Sequence, residues 1–260
     1  MTRLALWLGL AFLWSPVLLM ACFAFSDARQ PFVWGGFSWR WFLALAGNDR
    51  LLDAARRSVT VASVAATLST LAGGAMGWVL ARQGSFRGRT LFGALAAAPL
   101  VLPEVVTGLA MLLLFVASER LTGWPEGRGV GTLVLAHASL GAAYVAVVVH
   151  ARLGSLEQVL EEAAADLGAS PPVVFRTITL PLIAPSLAVG WGLAFLLSFD
   201  DVVLASFTGG PGATTLPLLF FSQLRMGPTP EAHALAVILL LLAGLCLAIW
   251  RLWRSAPDTA

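Results

Sequence analysis

Lysine is absent from this chain of 260 residues, whose sixteen basic positions are all arginine. Neither the phosphate-cradling lysine of a P-loop nor a Schiff-base lysine is therefore available. Cysteine occurs twice, at Cys22 and Cys246, inside apolar stretches near opposite ends. That placement excludes a disulfide framework and a paired-cysteine metal site, and both read as packing residues. Charged residues make up only 12% of the chain, against about 25% in an ordinary soluble domain. A net charge of +2, with its arginines scattered, leaves no footprint for nucleic acid. His137, His150 and His233 lack partners at metal-ligand spacing and read, with Tyr144, as structural polar groups. No HExxH, GxSxG or Cys/His pair is present, so an intramembrane enzyme has no motif to rest on.

What the chain has instead is apolar length. Hydrophobic residues make up 58% of it, and a membrane-spanning helix needs about 20 mainly apolar residues. Six stretches qualify, roughly 4 to 25, 58 to 81, 91 to 117, 130 to 151, 186 to 207 and 232 to 253. The expectation is an all-α polytopic membrane protein of six transmembrane helices in a single domain, 1–260. The first stretch exceeds the usual apolar core of a secretory signal, about 7 to 15 residues, and is expected to be a retained helix. The second is dense in Ala, Gly, Ser and Thr, so it should pack closely inside the bundle.

The connection from 26 to 57 carries Trp34, Trp39 and Trp41 among charged residues. Trp41 reads either as an interface anchor with its indole N–H in water or as an aromatic face at the mouth of a cation pathway. PLLFFSQL, after a Gly- and Pro-rich stretch, is expected to form a short interfacial helix. Trp250, Arg251, Trp253 and Arg254 close the last span as an anchor.

Ionisable groups inside apolar spans are functional candidates by default. Glu104 follows Pro99 and Pro103, which should kink the third span and free carbonyls to line a cavity. Ser198, Asp200 and Asp201 fall deep in the fifth. Counted from residue 187, Asp200 lies about 20 Å along the helix, and Glu104 lies at nearly the same depth counted from residue 91. Three carboxylates from two helices are thus expected to meet in one layer as a substrate pathway, with no arginine in either span to neutralise them.

Between the fourth and fifth spans lies a polar island, EEAAADLGASPPVVFRTITLP. Ala, Leu and Glu favour a first helix from Glu157 to Leu167 that stops at Gly168. Ser170 and Pro171 offer a cap and a first-turn proline for a second, reaching about Ile178. Pro181 and Pro185 should then bar that helix from running smoothly into the next span.

The spacing of Glu162, Ala163, Ala164, Gly168, Ile178, Leu180 and Pro181 resembles the EAA motif of membrane subunits of bacterial ABC importers. That resemblance implies the type I importer permease fold. Its cytoplasmic coupling loop, about 153–185, would dock on an ATP-hydrolysing subunit through the motif residues and Asp166, with Glu162 holding the interface. The arginines divide evenly between the two sides, so the loop's need to face a cytoplasmic ATPase orients the chain, with both termini cytoplasmic in a bacterial inner membrane.

FSDA, SWRWFLAL with Trp41, the PE pair at Glu104 and SFDD then follow in the order found in polyamine permeases of the putrescine and spermidine type. Glu104 stands where those relatives often carry Asp, so charge is carried over and identity is not. The resemblance implies an importer subunit rather than an enzyme. Its partners would be a second, similar permease subunit, two ATPase copies, a periplasmic polyamine-binding protein and membrane lipid. No cofactor would sit in this chain, with ATP and Mg bound by the ATPase. Trp41, Glu104, Ser198, Asp200 and Asp201 would form the substrate pathway. A permease for ferric ion, sulfate or another small metabolite is the alternative.

Overall fold

The computed structural model describes residues 2–30, 32–226 and 230–254. The described residues are mainly helical, in the order α1 (Thr2–Ala24), α2 (Arg40–Ala46), α3 (Asp49–Arg82), α4 (Arg89–Val101), α5 (Glu104–Thr122), α6 (Val130–Gly154), α7 (Val159–Asp166), α8 (Pro171–Val174), α9 (Leu180–Phe199), α10 (Val203–Thr208), α11 (Leu216–Met226) and α12 (Pro230–Arg254). They pack as two compact units, Ala54–Leu218 and Met1–Asp53 with Leu219–Ala260.

The larger unit is built around α6, whose residues are mostly buried because Ala and Gly give it a narrow profile on nearly every side. Gly73 and Gly77, four apart on α3, face it where backbones nearly touch. A methyl at Gly77 would lie 2.7 Å from the Ala146 carbonyl oxygen, and one at Gly73 would strike that of Ala142. Ser69, one turn away, donates to the Ala138 carbonyl at 3.0 Å. The expected close packing of the second span is what the structure shows.

The smaller unit holds α1, α2 and α12 with the connection after α1. Ser26 organises that connection: its hydroxyl donates to the Val33 carbonyl at 2.7 Å and accepts from the Gly35 N–H at 3.0 Å. An antiparallel bridge joins Ser26 to Phe37. Cys22 is exposed on α1 rather than packed inside, since that helix presents nearly its whole length outward.

Among the described residues, five helical stretches are long and apolar enough to cross a membrane: Arg3–Ala24, Asp49–Arg82, Glu104–Thr122, Val130–Gly154 and Pro171–Phe199. The sixth expected span falls on α12, a helix of 25 residues whose stretch Pro230–Leu245 is apolar among the described residues. The side chains of the expected terminal anchor, Trp250, Arg251, Trp253 and Arg254, and that of Cys246 lie outside the described residues.

Three expectations are corrected. The third span, 91 to 117, is two helices: Leu102 and Pro103 are extended, because proline disfavours the helical region for the residue before it, and α5 restarts at Glu104. The fifth, 186 to 207, is interrupted at residues 200–202, and α10 follows separately. The polar island's second helix does not stop before Pro181. α8 runs into α9 through a π-helical turn, Phe175–Thr179, where the Leu180 N–H bonds the Phe175 carbonyl five residues back. The register shift falls just where Pro181 has no N–H to give, so the helix passes the proline without a break.

Candidate functional site

The interruption after α9 is made by Asp201. Its Oδ1 accepts from the Leu204 N–H at 3.1 Å and its Oδ2 from the Ala205 N–H at 2.7 Å, capping α10. The carboxylate points into the bundle, where Oδ2 also lies 3.2 Å from His137 Nε2 on α6, off the line of a hydrogen bond. His137 Nδ1 meets the Ser198 hydroxyl at 2.5 Å. The His137 and Asp201 side chains are 1% and 5% exposed, and Ser198 is buried with them. Asp200, between Ser198 and Asp201, points the other way and is exposed.

Serine, histidine and aspartate thus lie in a row, but not as a nucleophilic triad. The hydroxyl sits on Nδ1 and the carboxylate on Nε2, the reverse of the serine hydrolase arrangement, and the serine is sealed from solvent. What the cluster can do is hold the two sides of a helix interruption to α6. Sequence reasoning treated His137 as an isolated group, yet an Asp immediately before a short apolar run, as Asp201 stands before Val202, is the ordinary signal for a helix cap.

The expected layer of three like carboxylates therefore divides. Asp201 is satisfied inside the bundle, whereas Asp200 and Glu104, in the first turn of α5, are exposed. Glu104 forms no ion pair among the described residues. On α9, Trp191, Phe195 and Phe199 stack at four-residue intervals leading to Asp200, with ring centroids 5.4 and 5.7 Å apart. The indole N–H of Trp191 is held by the Thr67 hydroxyl at 3.1 Å. The four-residue spacing of these rings was available from the sequence and was missed.

Trp41, in the smaller unit, is 8% exposed. Its indole N–H donates to the Ser26 carbonyl at 2.7 Å rather than to water. The Arg40 guanidinium lies over its ring, 5.0 Å from the centroid, so a cation already occupies the aromatic face.

The polar island folds as a helical hairpin. α7 carries Glu162, Ala163 and Asp166 on its exposed side, with Ala164 half-buried, and ends where Gly168 takes a φ of +87°. That left-handed turn lets the Ala169 N–H bond back to the Ala164 carbonyl and reverses the chain toward Pro171. Leu180 and Pro181 are exposed and Ile178 is half-buried. Leu167 is 91% exposed, beside exposed Leu160 and Val159. Glu161 points inward, 2.8 Å from Arg82 Nε at the end of α3. Its other oxygen accepts from the Thr179 hydroxyl at 2.7 Å, and Arg82 donates on to the Leu153 and Leu156 carbonyls.

Long apolar helices packed through small residues, with exposed acids at helix interruptions and a polar hairpin between two spans, define a helical integral membrane protein of the transport class. Residues 73–254 match the family described as the binding-protein-dependent transport system inner membrane component, and the chain belongs to it. It is 49% identical over 233 residues to PotI, the putrescine transport system permease protein of Escherichia coli K12, covering 90% of this chain and 83% of that protein. To PotC, a spermidine/putrescine transport system permease protein of Haemophilus influenzae, it is 38% identical over 234 residues, covering 90% and 88%. The fold resembles that of a solved bacterial ABC transporter that imports the acidic polysaccharide alginate, with a TM-score of 0.75 at 16% identity over 98% of this chain and 93% of that one. The inward-facing MetNI methionine transporter gives 0.64 at 16% identity, over 80% and 96%.

Proposed function

We propose that this chain is a permease subunit of an ATP-driven importer of polyamines, putrescine or spermidine, and that the whole chain forms half of the translocation pathway. The observation that carries this reading is the 49% identity, along nearly the full chain, to a putrescine permease. The chemistry of the exposed groups supports it. A polyamine carries several ammonium groups on a flexible chain and needs spaced carboxylates and aromatic surface in place of water. Glu104 and Asp200 supply exposed acids, and the Trp191, Phe195 and Phe199 stack supplies aromatic surface. Ser198 and Asp201 serve the pathway from behind, through the helix interruption, and Trp41, held by Ser26 and covered by Arg40, serves as an anchor of the connection after α1 rather than as an open cation face. The same exposed acids disfavour sulfate.

The partners are a second permease subunit, two ATPase copies that bind ATP and Mg, and a periplasmic binding protein, with this chain's termini on the cytoplasmic side. The hairpin docks on the ATPase through Glu162, Ala163, Ala164, Asp166, Gly168, Ile178, Leu180 and Pro181. Exposed Leu167 and Leu160 support this, because bulky apolar groups on a short polar loop require cover. ATP-driven closure of the ATPases draws the loops together and rocks the helices between outward and inward access.

The test is uptake of labelled putrescine and spermidine by cells lacking their own transporter and expressing this chain with its neighbouring transport genes. Saturable uptake that requires the binding protein is the expected result. If sulfate or ferric iron competes and polyamines do not, the cargo assignment fails.

A further inference from the structure

We infer that His137 is a positioning residue for the transport pathway: it clamps the two sides of the helix interruption that presents Asp200. This rests on the reading of Asp200 as a cargo contact. His137 bonds Ser198, the last residue but one of α9, through Nδ1, and its Nε2 lies 3.2 Å from the carboxylate of Asp201, the cap of α10, in close contact but off the line of a hydrogen bond. Asp200 is the only carboxylate between the two clamped residues, and it is exposed while Ser198 and Asp201 are buried. A helix end is normally free to fray and re-form by a residue or two. Here a register change would move Asp200 inward, because neighbouring residues at a helix end lie about 100° apart around its axis.

The imidazole suits this task because its two nitrogens lie on opposite sides of one rigid ring, so a single buried side chain bonds one backbone segment and packs against the other at a set separation. The three groups, His137 on α6, Ser198 on α9 and Asp201 at the cap of α10, are all buried. The backbone bonds of Asp201 to Leu204 and Ala205 fix the start of α10 but do not tie it to α6. His137 supplies that tie. Thr132, earlier on α6, bonds the far end of α10, donating to the Thr208 carbonyl at 2.8 Å. α10 is therefore held to α6 at both ends, and only the His137 end adjoins the exposed acid.

The experiment uses the complete transporter in proteoliposomes, with labelled putrescine delivered by saturating binding protein. Variants are His137→Leu, His137→Gln, Ser198→Ala, Asp200→Asn and the pairs of each with Asp200→Asn, and all are compared at equal amounts of assembled complex. Asp200→Asn is expected to cut the uptake rate by about tenfold, the order of one charge-assisted hydrogen bond. His137→Leu should cut it to a similar degree, His137→Gln less, because an amide can still bridge two polar partners. In the Asp200→Asn background neither His137 change should reduce uptake further, since there is no carboxylate left to position. Multiplicative losses in the pairs would overturn the inference and assign His137 a separate role. Full uptake in His137→Leu would overturn it directly. Unchanged uptake in Asp200→Asn alone would remove the pathway reading itself, a different result from failure of the clamp. If His137→Leu does not assemble, Ser198→Ala loosens the same clamp by one hydroxyl and must show the same lack of added effect.

Discussion

Arg82 and Glu161, seventy-nine positions apart, close an ion pair of 2.8 Å between the end of α3 and the polar hairpin. The Glu161 carboxylate also accepts from Thr179 in the π-helical turn, and the Arg82 guanidinium also reaches the carbonyls at the end of α6. The hairpin is thereby joined by polar bonds to three helical segments, so a force applied to it has a stiff route into the bundle.

Arg82→Ala and Glu161→Ala should each uncouple transport, with ATP hydrolysis by the partner subunits persisting while uptake falls. Both side chains are mostly buried, at 10% and 18% exposure. Leaving either charge without its partner should also cost about 3 kcal/mol of stability. The ratio of solute imported to ATP hydrolysed, measured on reconstituted complex, checks the first effect. An unchanged ratio in both variants would remove the pair from the transmission route.

The two adjacent aspartates should behave differently. Asp200→Asn alters an exposed group and should leave the complex assembled while lowering polyamine uptake. Asp201→Asn keeps one oxygen for a backbone N–H but offers an amide N–H₂ to the other, which is itself a donor. The cap should weaken by about 1 kcal/mol or more, and thermal stability of the purified complex should fall. Equal melting temperatures for the two variants would contradict the assignment of Asp201 as the interior cap.

Gly77→Ala and Gly73→Ala should destabilise the larger unit although alanine is the better helix former. At Gly77 the added methyl would meet the Ala146 carbonyl at 2.7 Å, and α3 would have to move away from α6. Overpacking of this kind costs about 1–3 kcal/mol. A lower thermal midpoint in detergent is expected for each. A higher one would mean that the two helices are free to separate.

On the hairpin, Leu167→Asp should abolish association with the ATPase while the isolated permease subunit keeps its stability, because Leu167 packs against little within the chain. Gly168→Val should weaken both, since its φ of +87° strains a β-branched side chain. Co-purification of the ATPase with tagged permease separates the two effects. Undiminished co-purification of Leu167→Asp would place the docking surface elsewhere.

Much of the fold was legible from local chemistry. Apolar length marked the spans, small residues marked α3 as a close-packing helix, and Gly168 with Ser170–Pro171 marked the hairpin turn. The misjudged helix ends have local causes. Leu102–Pro103 is a break because the residue before proline is pushed out of the helical region, whereas Pro181 is no break because the preceding π turn absorbs its missing donor. Proline alone does not say which of these will happen.

The candidate site was legible in composition and not in direction. Two adjacent acids in an apolar span are visible in any reading of SFDD, and their cost makes them candidates. Which one faces inward depends on backbone angles at the helix end and on a histidine more than sixty positions away. Glu161 and Glu162 repeat the case: Glu161 turns toward Arg82, while Glu162, the motif residue, stays exposed.

The sequence by itself determined the apolar spans and the polar island between them, because each follows from composition along the chain, and it carried the motifs whose resemblance implied the family. Only the tertiary structure decided the partners of His137, Arg82 and Trp41 and the opposite directions of Asp200 and Asp201. Such pairings depend on helices distant in sequence lying side by side, and the high cost of a buried charge without a partner then selects which side chain turns inward.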